Sequence, residues 1–65
     1  MTTHEAITWI LAHKYIELTV TEHCISLAFI ADGVWCGMES SLPDRGMALI
    51  DCVQQARRIE EQHGL

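Results

Sequence analysis

The chain has 65 residues, nine Asp and Glu against four Lys and Arg, a formal net charge of −5, and an apolar content of 49%. That length holds a single domain, residues 1–65, and leaves little scaffold for a deep catalytic pocket. The negative balance speaks against direct binding to nucleic acid, and the apolar content against disorder.

Thr2 and Glu5 have the spacing of a capping box. Ala6, Ile7, Ile10, Leu11 and Lys14 then recur at helical intervals, so residues 3–14 are predicted to form a helix. The β-branched Ile7, Thr8 and Ile10 weaken that helix and leave a strand as the alternative. From Tyr15 the period changes to two. Ile16, Leu18 and Val20 alternate with Glu17, Thr19 and Thr21, the pattern of a half-buried strand. Ile25, Leu27 and Phe29 alternate with Ser26, Ala28 and Ile30 in a second strand. Asp32-Gly33 is a two-residue hairpin signal, because a type I′ turn needs positive φ at both central positions. Val34, Cys36 and Met38 mark a third strand.

The register can be checked for consistency. A turn at Asp32-Gly33 pairs Ile30 with Trp35, Phe29 with Cys36 and Leu27 with Met38. A tight turn at Glu22-His23 pairs Val20 with Ile25, Leu18 with Leu27 and Ile16 with Phe29. Both pairings collect the same apolar set on one face, as a sheet with one buried side requires. Glu22-His23 is not favoured turn chemistry, which leaves room for a longer loop.

Ser41, Pro43 and Asp44 open the last helix. Leu49, Cys52, Val53, Ala56 and Ile59 line one side of it, Arg57 and Arg58 complement its C-terminal dipole, and Gly64 ends it. Gly46 in its first turn either costs helix propensity or lets the helix approach the sheet closely. The fold predicted is α+β, in the order α-β-β-β-α. A three-stranded antiparallel sheet has both helices packed on the face carrying Ile16, Leu18, Val20, Ile25, Leu27, Phe29, Cys36 and Met38.

The other face is left open, with Tyr15, Ile30 and Trp35 as lateral neighbours and Glu17 and Glu39 one step along. An aromatic cluster fringed by carboxylates suits protein binding, and the carboxylates would steer a basic partner. A homodimer formed through this face, or cover by the first helix, are the alternatives. Mean hydropathy of +0.14 is high for a body that buries only about 60% of its chain surface. It points to self-association or a partner.

The charge is uneven. Residues 1–44 hold six acids and one base, whereas residues 45–65 hold three of each. The acids serve solubility, or they imitate nucleic-acid phosphates in front of a basic groove. Glu17, Glu22, Asp32 and Glu39 are the candidates for phosphate-like contacts. Cys24, Cys36 and Cys52 are odd in number and widely spaced, which reads as reduced thiols in a cytoplasmic protein. No apolar run is long enough for a membrane span, and the start lacks the basic end of a signal peptide. His4, His13, His23, His63 and the cysteines show no metal-ligand spacing. His23 beside Cys24 has no third orienting group. No cofactor, metal or catalytic residue is expected, and the chain is expected not to be an enzyme.

The element order resembles the double-stranded-RNA-binding domain, but that family's lysine cluster is replaced here by Ser41 to Ala48, with Arg45 alone beside Asp44. RNA binding is therefore not carried over. Size, acidity, a single α/β unit and reduced cysteines are also similar to phage sandwich domains and to the small acidic anti-CRISPR proteins of phages. The latter resemblance implies a non-enzymatic inhibitor that binds a host nucleic-acid-processing complex through a DNA-mimicking surface. The alternative is a small homodimeric or antitoxin-like interaction protein whose acidity only confers solubility.

Overall fold

The computed structural model describes residues 1–63. The order is α1 (Thr3–Leu11), β1 (Ile16–Val20), β2 (Ile25–Ala31), β3 (Val34–Ser40) and α2 (Arg45–His63). The strands form one antiparallel sheet with β2 in the middle. The α-β-β-β-α architecture and every strand pairing expected from the alternation are present. Ile16 faces Phe29, Leu18 faces Leu27, Phe29 faces Cys36 and Ile30 faces Trp35.

The local causes are visible. The Thr2 hydroxyl accepts from the Glu5 N–H at 3.1 Å, and the Glu5 carboxylate accepts from the Thr2 N–H at 2.9 Å. This is the capping box the spacing announced. Asp32 and Gly33 adopt φ of 53° and 78°, the positive pair that a type I′ hairpin needs. The β1–β2 connection is a two-residue tip, Glu22-His23, despite its unfavoured residues. The Thr21 hydroxyl substitutes for turn chemistry by accepting from the N–H groups of His23 at 3.3 Å and Cys24 at 3.1 Å. The Thr21 carbonyl in turn accepts from the Arg45 guanidinium, which ties this tip to the start of α2.

Two boundaries differ from expectation. Helix α1 ends at Leu11, with Ala12 as its C-cap, rather than at residue 14. His13 closes the end instead, its ring nitrogen Nδ1 lying 2.7 Å from the Trp9 carbonyl oxygen. Helix α2 is capped by Asp44, not opened at Ser41. Asp44 Oδ1 accepts from the Met47 N–H at 3.0 Å, and the rigid Pro43 keeps the preceding residue extended. The expected stop at Gly64 lies outside the described residues.

The core is built on β2, where Ile25, Leu27, Phe29 and Ala31 are all buried against Ala48, Cys52, Val53 and Ala56 of α2. Phe29 and Leu27 each contribute about 2–3 kcal/mol by leaving water. Helix α2 lies over β2 and β3, and α1 packs chiefly beside α2. Both helices occupy one side of the sheet, since Trp9 meets the buried Phe29 edge-on at 5.6 Å. The cover is incomplete: Leu18 and Val20 of β1 stay 44% and 59% exposed. The nine residues of α1 are too few to span that strand as well as the flank of α2. Gly46 permits a close approach, but to α1 and not to the sheet. A Cβ there would sit 3.3 Å from the Thr3 hydroxyl oxygen. With His13 Nε2 2.7 Å from Glu60 at the other end, α1 and α2 run in the same direction.

Candidate functional site

The face of the sheet away from the helices is open. Side-chain alternation sends Glu17 and Thr19 of β1, Ser26, Ala28 and Ile30 of β2, and Trp35, Gly37 and Glu39 of β3 to this side. They form rows across the strands: Glu17–Ala28–Gly37, then Thr19–Ser26–Glu39, with Ile30–Trp35 beyond the first. The first two rows line a shallow trough of about 500 Å³. Its floor is made of small side chains. Glu17 stands on one edge and Glu39 on the other. Trp35, 51% exposed, stands with Ile30 next to one end.

The structure distributes the expected contact residues over the open face, the two hairpin tips and the bend before β1. Glu17 and Glu39 flank the trough. Glu22 is at the tip of the β1–β2 hairpin and Asp32 at the tip of the β2–β3 hairpin, at opposite ends of the sheet. Ile30 and Trp35 are paired as expected. Tyr15 is not part of that row, because β1 begins only at Ile16. It sits in the bend after α1, exposed, with the Lys14 ammonium 5.8 Å from its ring centre. The first helix does not cover this face.

The electrostatics follow the layers. Residues 15–40, which make the sheet and its turns, hold four carboxylates and no Lys or Arg. All the Arg residues belong to α2, and the single Lys precedes the sheet. The charged side chains that the sheet itself contributes are therefore all acidic, with Arg45 reaching only the β1–β2 tip, while the outer side of α2 mixes Arg57 and Arg58 with Glu61.

The nucleophile and metal candidates are dispersed. His23 reaches toward Glu22 at 4.0 Å, while the Cys24 thiol lies 3.5 Å from the Thr21 hydroxyl. Burial pushes the Cys52 thiol up from its ordinary range, and nearby acids add to the effect. That thiol donates to the Ile25 carbonyl at 3.3 Å. Cys36 lies on the helix side, half-buried. Among the described residues, no three of His, Cys, Asp and Glu converge as a metal ion would require, and no helix is long and apolar enough to cross a membrane.

Sequence reasoning missed two features. One is the His13 clasp, in which the ring stacks on Trp9 at 3.8 Å and meets Glu60. The i, i+4 spacing of Trp9 and His13 was its only local signal. The other is the floor of the trough, which the alternation of Ser26, Ala28 and Gly37 contained without marking it. Compared with protein-family models, characterised proteins and solved structures, the chain matches none.

Proposed function

We propose that this protein is a non-enzymatic inhibitor of the anti-CRISPR type, which binds a host nucleic-acid-processing complex through its open sheet face. The observation that carries the reading is the charge of that face. The sheet and its turns contribute Glu17, Glu22, Asp32 and Glu39 and no Lys or Arg of their own, with Arg45 of α2 reaching the tip that carries Glu22. Such a surface attracts the basic groove of a nucleic-acid-binding protein and repels nucleic acid itself. Trp35 and Ile30 supply apolar contact area beside the charges. Glu22 and Asp32, at the two ends of the sheet, extend the negative surface along its length, as a phosphate backbone would. The host cytoplasm is the compartment in which such a partner and three reduced thiols coexist.

The test is capture of partners from a bacterial lysate on the tagged protein, with and without duplex DNA and at two salt concentrations. Mimicry predicts a DNA-binding complex that DNA displaces and that moderate salt weakens. A complex retained in the presence of DNA and salt contradicts it.

One observation favours a second reading. Leu18 and Val20 lie exposed on an edge strand, and β1 carries no Lys, Pro or bulge to deter pairing. A homodimer joined there would leave the acids with a solubility role only. Its association, measured by sedimentation equilibrium, would be insensitive to salt, because apolar burial is not screened.

A further inference from the structure

Gly37 sits in the middle of β3, and nothing inside the molecule calls for a glycine there. Its φ is not in the left-handed region, and a Cβ built on it meets nothing within 4 Å. A glycine in a strand interior weakens the strand and often marks a bulge, a bend or a close approach by a ligand or another backbone; the β2–β3 register is unbroken here, with no bulge. Its neighbour across the face is Ala28, with Ser26 one step along, so no side chain rises from the middle of the trough.

The two carboxylates stand on opposite outer strands, one step apart in register. Two strand spacings and one two-residue step put their backbones about 12 Å apart. A cationic head entering between them lies within side-chain reach of both. Trp35 precedes Gly37 by two residues on the same side of β3, next to the end of the trough away from Glu39, and an indole attracts a cation to its face.

We infer that the trough is a seat for an arginine side chain of the protein partner. Its aliphatic stem lies across Ala28 and Gly37, and its guanidinium is shared between Glu17 and Glu39 beside Trp35. Charge complementarity fixes the sign of the occupant. Arginine fits better than lysine, because a planar fork serves two carboxylates and stacks on an indole, whereas an ammonium is a strongly hydrated point charge. This inference rests on the open face being the binding face, and it adds a chemical identity for what that face holds.

The test uses hexa-arginine and hexa-lysine peptides with the full-length protein, followed by chemical-shift changes at the Gly37 amide and by titration. The expected result is shifts centred on Ala28 and Gly37, and arginine binding about tenfold tighter than lysine, the ratio one good cation–π contact supplies. Two variants separate the outcomes. Gly37→Val fills the floor at a position with free space and good strand propensity, so its fold is retained, and it is expected to lose arginine binding. Glu17→Gln with Glu39→Gln is expected to lose it as well. If Gly37→Val binds as tightly as the wild type while the double Gln variant does not, the seat is wrong and the acidic face still stands. If the peptides bind equally, the preference for arginine is wrong. If neither variant changes binding, or no shifts appear on this face, both the seat and the face are overturned.

Discussion

Glu5 closes the first turn of α1, and its carboxyl is held below the ordinary glutamate range chiefly by the Thr2 backbone N–H and then by the Thr2 side chain. A carboxyl lowered in the folded state stabilises it above the unfolded value, and that contribution is lost as pH falls through the lowered one. The wild type should therefore exceed Glu5→Ala in urea stability at neutral pH by more than it does in strong acid. Cys52 behaves in the opposite sense, since its thiol is raised by burial. The folded protein should keep it protonated and slow to alkylate at pH 8, and Cys24, half-buried beside the β1–β2 tip, should react before it. Mass spectrometry of iodoacetamide adducts over time reads the order directly.

At the scale of elements, the turn and the cap make separable claims. Thr21→Val keeps the shape of the residue but removes the oxygen that accepts from His23 and Cys24. It should cost about 1–2 kcal/mol in urea unfolding. Asp44→Ala should cost about 1 kcal/mol, whereas Ser41→Ala should cost almost nothing, because Asp44 holds the first turn of α2. These are also the places where the sequence was partly silent. Strand register was legible because Ile16 to Val20, Ile25 to Phe29 and Cys36 to Met38 alternate with period two and must share one buried face. The α2 cap was ambiguous because Ser41 and Asp44 are both capping residues, and only the extended path into Pro43 decides between them. The exposure of Leu18 and Val20 was not legible, since their alternation is that of a covered strand. Whether a nine-residue helix reaches them depends on its placement against α2. In the candidate site, Ile30 and Trp35 followed from the Asp32-Gly33 turn. Tyr15 did not, because the bend that precedes β1 has no signature in the alternation.

The whole molecule divides by charge into a sheet whose own Asp and Glu meet no Lys or Arg from the strands, and a helix side that is mixed. A Cα radius of gyration of 11.1 Å is close to the roughly 10.7 Å expected for a chain of this length folded as one body. The sheet has a helix layer on one side only, and the uncovered side holds Trp35, Ile30 and the trough. A domain this small has few ways to bury more surface alone, so an open face of this kind is where a partner adds the most. The most direct test replaces Glu17, Glu22, Asp32 and Glu39 together by Lys and measures binding to the captured host complex, with circular dichroism confirming the fold. These residues are on strand edges and turn tips, so the helices and the β2 core should survive the exchange. The expected result is a folded variant that no longer binds. A folded variant that binds the same complex with unchanged affinity would contradict it.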